Sequence, residues 1–126
     1  MTQTYLALAV EDDVNNYHLL RAILKDFPLE FVNAPSGAEA VAFLKDKAPH
    51  LIFLDINLPD MHGWQVLEQF KDDPRLNQSA VIVLTARTEP VHRLIGSLMP
   101  IAAYVNKPIK PDELRQLVRQ CLSLDA

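Results

Sequence analysis

The chain has 126 residues, a net charge of -4 at pH 7 and a hydrophobic fraction of 49%, values typical of one folded domain rather than of a disordered chain. The negative charge and the scattered basic residues argue against direct nucleic-acid binding, and no apolar stretch approaches the roughly 20 residues that span a bilayer. Cys121 is the single cysteine, which excludes an intramolecular disulfide. We therefore predict one cytoplasmic domain over residues 1–126, without a membrane or nucleic-acid partner.

The first third of the chain alternates apolar runs with amphipathic segments. The run Tyr5–Val10 is continuous, which is typical of a strand buried on both faces of a parallel sheet. Helical spacing of apolar residues over Val14–Asp26 predicts a first helix, with Asp13 as a candidate cap. Leu29–Asn33 predicts a second strand, and Ser36 begins a capping-box spacing that opens a second helix.

The rest of the chain repeats this unit three times. The predicted elements are a strand at Leu51–Leu54 and a helix at Trp64–Phe70, a strand at Ala80–Leu84 and a helix at Glu89–Leu98, and a strand at Ala102–Val105 with a last helix opening at Pro111. Such alternation predicts a parallel sheet with helices on both faces. A closed eight-unit barrel needs about 250 residues, so we predict the open α/β alternative, a flavodoxin-like doubly wound sheet of five strands in the order 2-1-3-4-5.

Polar side chains end or follow four of the predicted strands. Asp12 and Asp13 follow the first strand, Asp55 the third, Thr85 the fourth and Lys107 the fifth. Because the carboxyl ends of parallel strands meet at one edge of the sheet, we expect these groups to converge there. Three carboxylates repel one another, and one lysine compensates only part of their charge. An oxygen-only site of this kind selects Mg²⁺, which is the cofactor that we predict.

Together, these groups can support phosphoryl transfer onto a carboxylate. Asp55 would attack in line, Thr85 would donate a hydrogen bond, and Lys107 and the metal would neutralise the charge on the phosphoryl oxygens. The four histidines and the single tryptophan stand outside this scheme. The histidines lack the paired spacing of zinc ligands, so we predict surface or loop positions for His18, His50, His62 and His92, and packing of the third helix by Trp64.

Four motifs resemble the receiver domains of two-component response regulators, and the resemblance extends over nearly the whole chain. The motifs are Val10-Glu11-Asp12-Asp13, Asp55-Ile56-Asn57-Leu58-Pro59-Asp60-Met61-His62-Gly63, Val83-Leu84-Thr85-Ala86 and Tyr104-Val105-Asn106-Lys107-Pro108. Each motif alone is common, whereas the combination is specific. The resemblance implies the same flavodoxin-like fold that the strand pattern predicts.

Residue by residue, the resemblance implies a phosphoacceptor and its metal site. Asp55 would be the phosphoacceptor. Asp12, Asp13 and Asp55 would hold Mg²⁺, together with the backbone carbonyl of Asn57. An alternative for Asp13 is a helix cap, a position that aspartate also favours.

The resemblance also implies a conformational switch. Thr85 and Lys107 would bind the phosphoryl group, and Tyr104 would follow Thr85 inward and reshape the face of helix 4, strand 5 and helix 5. An alternative for Tyr104 is an ordinary core aromatic, although the resemblance favours the switch role. Pro108 resembles the family proline that often follows a cis peptide bond.

The implied function is that of a signalling domain rather than an enzyme. Its phosphoryl donor would be a histidine kinase or a histidine phosphotransfer protein, its downstream target would be an unidentified protein, and its state would be monomeric or a phosphorylation-dependent dimer. The chain resembles stand-alone chemotaxis or phosphorelay receivers, although a receiver excised from a larger regulator would look the same. The segment Met99-Pro100-Ile101 departs from the family pattern before Tyr104 and predicts a differently shaped loop there.

Two other functions remain open from the sequence. One is a phosphorylation-independent binding module with the receiver fold, although such a module is expected to lose acidic or lysine positions that this chain retains. The other is a phosphatase of the haloacid dehalogenase type. In that class the nucleophile follows the first strand in an Asp-x-Asp pattern, whereas Asp55 ends the third strand and Asn57 breaks the pattern.

Overall fold

A computed structural model describes residues 3–86 and 90–123 and shows strands alternating with helices along the chain. The strands are β1 (Tyr5–Val10), β2 (Leu29–Ala34), β3 (Leu51–Leu54), β4 (Ala80–Thr85) and β5 (Ala103–Asn106). The α-helices are α1 (Val14–Ile23), α2 (Gly37–Asp46), α3 (Gly63–Phe70), α4 (Pro90–Leu98) and α5 (Pro111–Cys121), with a short 3₁₀ helix at Pro74–Leu76. Within the described ranges, no helix combines the length and the apolar character that crossing a membrane requires.

The five strands form one parallel sheet in the order β2-β1-β3-β4-β5, which confirms the predicted fold. Successive residues of a strand point to opposite faces, so a fully apolar strand supplies two cores. In β3, Ile52 and Leu54 face the core that contains residues of α2 and α3, whereas Leu51 and Phe53 face the core beneath α1 and α5. This two-sided burial explains why the sequence shows continuous apolar runs.

Several element boundaries differ from the sequence prediction. Helix α1 ends at Ile23, three residues before the predicted end, because the chain turns there through a bond from the N–H of Phe27 to the carbonyl of Leu24. Strand β4 extends to Thr85, and β5 is shifted by one residue relative to the predicted strand. The 3₁₀ helix was not predicted, and Glu89, the predicted start of the fourth helix, lies outside the described residues.

Helix α2 is capped at both ends by side chains from later parts of the chain. The carboxylate of Asp60, after β3, accepts hydrogen bonds from the N–H groups of Gly37 (2.8 Å) and Ala38 (2.9 Å). These bonds, the one from Gly37 above all, lower the pKa of Asp60. At the other end, the guanidinium of Arg75 donates to the carbonyl oxygens of Leu44 (2.9 Å) and Lys45 (3.1 Å). Both sets of bonds satisfy backbone groups that a helix leaves unpaired.

Candidate functional site

The register of the central strands places two carboxylates side by side. Val10 pairs with Leu54, and the N–H of Asp55 donates to the carbonyl of Val10 at 3.1 Å, so Glu11 and Asp55 leave neighbouring strands at the same level. Glu11, Asp12 and Asp55 each offer a carboxylate oxygen within 4.8 Å of the others. Glu11 and Asp55 are both 8% exposed, whereas Asp12 is exposed. The arrangement concentrates negative charge at a partly desolvated position.

Lys107 bridges two of these carboxylates. Its Nζ lies 2.8 Å from Oε1 of Glu11 and 3.0 Å from Oδ2 of Asp55. Burial raises the pKa of Glu11, and this effect outweighs the opposing effect of Lys107. Burial alone would lower the pKa of Lys107, but its hydrogen bond to Glu11 and the charge of Asp55 raise it, so the ammonium stays charged. One cation therefore faces three carboxylates.

The loop after β3 fixes the orientation of Asp55. Oδ1 of Asp55 accepts the N–H of Asn57 at 2.9 Å, while Oδ2 faces Lys107. Gly63 brings the start of α3 against this loop, because a Cβ at that position would lie 2.5 Å from the carbonyl oxygen of Asp55. The N–H of Gly63 also donates to the carbonyl of Ile56 at 2.8 Å. The close approach therefore requires glycine and holds the Asp55 carboxylate in place.

Asp13 caps helix α1. Its Oδ1 accepts the N–H of Asn15 at 2.8 Å and that of Asn16 at 3.4 Å, and its own N–H donates to Oε2 of Glu11 at 3.2 Å. Asp13 lines the same cavity as the other acidic residues but does not belong to the group of three close carboxylates. Its role as a metal ligand stays a prediction, and the geometry favours Glu11 in that role.

The predicted residues share one open cavity of about 380 Å³ at the carboxyl ends of the strands. Its lining includes Asp12, Asp13, Asp55, Asn57, Thr85 and Lys107, together with Glu11. Thr85 is completely buried at the end of β4, and its carbonyl accepts the N–H of Lys107 at 2.8 Å, which fixes the lysine backbone beside the last residue of the strand. Sequence reasoning missed Glu11, although its position directly after β1 is the available signal.

Tyr104 and Pro108 line a second cavity next to β5. The half-buried Tyr104 ring packs on Trp64 with ring centroids 6.3 Å apart and planes at 26°. The Arg93 guanidinium lies 5.1 Å from the centre of the same tyrosine ring. The peptide bond between Lys107 and Pro108 is cis.

The sequence also predicts positions for Trp64 and for His92. Trp64 belongs to the core cluster on the face of the sheet that α2 and α3 cover, as expected for a residue that anchors the third helix. The predicted surface or loop position of His92 is wrong: it lies in α4 and is 8% exposed. The reason is that His92 faces inward towards α3, where the indole of Trp64 supplies a hydrogen-bond donor.

Comparison with known proteins gives a consistent match. The family profile of the response regulator receiver domain matches residues 7–119. Among curated proteins, the chain is similar to response regulator Rre1 of Synechocystis sp., with 31% identity over 98% of this chain and 54% of that protein. The chain thus spans about half the length of that relative.

Solved structures agree on the fold. The chain is similar to a CheY-like response regulator receiver domain protein of Methanospirillum hungatei, with 25% identity, a TM-score of 0.86, and coverage of 96% of this chain and 95% of that chain. It also resembles the receiver domain of sensor histidine kinase PA1611 of Pseudomonas aeruginosa, with 21% identity, a TM-score of 0.84, and coverage of 96% and 99%. That structure holds a magnesium ion coordinated in its active site cleft.

Proposed function

The chain belongs to the response regulator receiver domain family, and we propose that it accepts a phosphoryl group on Asp55 with the help of Mg²⁺. The observation that carries the proposal is the convergence of three carboxylates and one lysine on a single open cavity. Receiver domains are signalling domains of two-component systems, so the phosphorylated form is a signal rather than the product of a metabolic enzyme.

The donor set fits Mg²⁺. Glu11, Asp12 and Asp55 offer oxygen ligands only, and their combined charge exceeds that of Lys107 by two units when all are ionised. Hard oxygen donors of this kind favour Mg²⁺, which usually keeps several waters. The backbone carbonyl of Asn57 remains a further candidate ligand, as does Asp13. The magnesium ion in the Pseudomonas receiver is in keeping with this assignment.

The chemistry follows from what each side chain can do. A carboxylate oxygen of Asp55 attacks the phosphorus of a phosphohistidine, the P–N bond breaks, and an acyl phosphate forms while the imidazole leaves with the electron pair. Lys107 already contacts Asp55 and neutralises charge on the transferred group, and Thr85 lines the same cavity. Bound Mg²⁺ supplies further electrostatic stabilisation of the phosphoryl oxygens.

The phosphoryl donor in this proposal is a histidine kinase or a histidine phosphotransfer protein, and the readout is a conformational change on the face of α4, β5 and α5. That face carries exposed apolar side chains on α4, namely Val91 (54%), Leu94 (60%) and Leu98 (76%). They recur at helical spacing on one side of the helix. Exposed apolar patches mark protein contacts. Tyr104 and Thr85 lie two residues apart in the register between β4 and β5, and in this proposal they link this face to the cavity.

The test is the intact mass of the protein after incubation with acetyl phosphate, with and without Mg²⁺. We expect one added phosphoryl group that depends on Mg²⁺ and is absent from Asp55→Asn. The control variant Asp72→Asn changes an exposed aspartate outside the cavity and should be phosphorylated normally. A chain that gains no phosphoryl group and also binds no beryllofluoride would instead be a phosphorylation-independent binding module.

A further inference from the structure

The contact between Trp64 and His92 joins α3 to α4 in the interior of the protein. The indole Nε1–H donates to Nδ1 of His92 at 3.1 Å, and the two residues are only 7% and 8% exposed. Neither residue lines the phosphoacceptor cavity. A buried polar group that loses its hydrogen-bond partner lowers the stability of the folded protein. This bond therefore favours one relative position of the two helices.

Tyr104 rests on this pair. Its ring packs on the Trp64 indole, and a Cβ added at Gly96 would lie 3.2 Å from the tyrosine ring and 3.4 Å from the indole. The backbone of α4 therefore lies directly against both rings. Any change that releases Trp64 from α4 also changes the surface on which Tyr104 packs.

The bond restricts the protonation state of His92. An indole nitrogen only donates, so Nδ1 of His92 must accept and cannot carry a proton. In the imidazolium form both ring nitrogens are donors, and the bond to Trp64 is lost. The titratable and charged groups that face this pair within the described residues are His62 at the start of α3, with ring centroids 6.0 Å from His92, Tyr104 on β5, and Arg93 on α4.

We propose that His92 is a positioning residue for Tyr104. Neutral His92 holds the Trp64 indole, the indole holds the Tyr104 ring, and protonation of His92 releases both. The face of α4 and β5 would thereby respond to pH as well as to phosphorylation. The step from Tyr104 to the phosphoacceptor site rests on the proposed function, whereas the step from His92 to Trp64 does not.

Trp64 is the only tryptophan in the sequence, so tryptophan fluorescence reports on its surroundings, which include this contact. Emission is recorded between about pH 8 and pH 5, the range in which histidine normally changes charge. We compare wild type with His92→Gln, which keeps an acceptor oxygen but does not titrate, and with His62→Gln as the matched control. We expect a sigmoidal change in wild type and in His62→Gln that is absent from His92→Gln. The same titration in His92→Gln as in wild type would overturn the proposal.

The affinity for beryllofluoride with Mg²⁺ tests the coupling to Asp55. It is measured at about pH 6 and about pH 8 in wild type and in His92→Gln. Protonation within the Asp55 site affects both proteins alike, so a difference between them reports on His92. For each protein, the dissociation constant at about pH 6 is divided by that at about pH 8. We expect this ratio to differ about fivefold between wild type and His92→Gln, which is the lower end of usual coupling between sites. Equal ratios would overturn the role of His92 in positioning Tyr104.

Two outcomes separate the proposed function from the role of His92. If wild type binds no beryllofluoride at either pH, the proposed function fails, while the fluorescence titration still decides whether His92 controls Trp64. If His92→Gln does not fold, His92→Asn supplies a second acceptor that does not titrate and is subject to the same expectations. A loss of stability in either variant without loss of the fluorescence titration would show a merely structural role and would overturn the proposal.

Discussion

Lys107 lies closer to Glu11 than to Asp55, with Nζ distances of 2.8 Å and 3.0 Å to their carboxylate oxygens. The lysine is thus shared between the residue proposed to accept the phosphoryl group and a neighbour on the adjacent strand. Sharing keeps the ammonium in the cavity before any phosphoryl group arrives. It also means that the balance of charge in the resting site depends on three side chains rather than on one ion pair.

Substitution of Lys107 by alanine should destabilise the metal-free protein. The change leaves the two largely buried carboxylates of Glu11 and Asp55 without their shared cation, and we expect a loss of about 1–3 kcal/mol in the free energy of unfolding. Mg²⁺ should restore part of this loss, because it supplies the missing positive charge. Urea unfolding with EDTA or with Mg²⁺ measures both effects, and Lys25→Ala, at an exposed position, is the control. An unchanged metal-free stability would contradict the crowded-carboxylate description.

Substitution of Glu11 by glutamine should raise metal-free stability at neutral pH and weaken Mg²⁺ binding. Burial raises the pKa of Glu11, so its ionised form is less favoured in the folded than in the unfolded protein. Ionised Glu11 therefore lowers the free energy of unfolding at neutral pH, and acidification through the raised pKa removes this loss. Unfolding in EDTA as a function of pH and calorimetric titration with Mg²⁺ provide the measurements. A less stable metal-free variant would show that the contact with Lys107 outweighs the cost of burial.

The roles of Asp12 and Asp13 can be separated by paired variants. Asp13→Ala should lower stability by about 1 kcal/mol through loss of the α1 cap, and Asp13→Ser should retain most of it. Asp12→Asn should leave the cap intact and weaken Mg²⁺ binding. If Asp13→Ser weakens Mg²⁺ binding as much as Asp12→Asn does, Asp13 is a metal ligand as the family resemblance implies.

Asp60→Asn should change how the free energy of unfolding depends on pH below neutrality. The bonds from the N–H groups of Gly37 and Ala38 lower the pKa of Asp60, so the ionised form stabilises the folded protein. This contribution is present above the unfolded-state pKa of about 3.9 and is lost as the pH falls through the lower folded-state pKa. The variant should therefore be less stable than wild type near neutral pH, and the difference should shrink on acidification. A constant difference across this range, measured by urea midpoints, would exclude the carboxylate as its source.

Two glycines offer a matched comparison. Gly63→Ala would push a methyl group against the carbonyl oxygen of Asp55, a backbone atom that no side-chain rotation can move away. We expect a loss of about 1–3 kcal/mol and slower phosphorylation, because the loop that orients Asp55 must shift. Gly96→Ala meets only side-chain atoms, at 3.2 Å or more, and it gains helix propensity. Unfolding and the rate of phosphoryl uptake should therefore be affected more by the first substitution than by the second.

The fold and most of the candidate site could be predicted because they depend on short sequence patterns. An apolar run such as Leu51–Leu54 identifies a buried parallel strand, and the polar residue that ends it identifies the edge at which such residues meet. The place of Glu11 was harder to predict. It depends on the register between β1 and β3, and the identities of the strand residues do not encode that register.

Contacts between distant residues could not be predicted for a physical reason. The bond between Trp64 and His92 joins positions 28 residues apart, and the bonds from Arg75 to α2 join positions about 30 residues apart. Each depends on how closely two helices or a helix and a loop pack, which composition and periodicity do not determine. Polar residues of this kind resemble surface residues in the sequence, and His92 was placed wrongly for that reason.

The capping of α2 by later residues has a consequence for the order in which the protein folds. Ser36 caps the start of the helix locally, but Asp60 and Arg75 come from parts of the chain made afterwards. During synthesis, α2 therefore acquires its full set of end contacts only after the third strand and the 3₁₀ helix have emerged and docked. A chain that ends before residue 60 therefore lacks the two side chains that cap α2 from outside the helix.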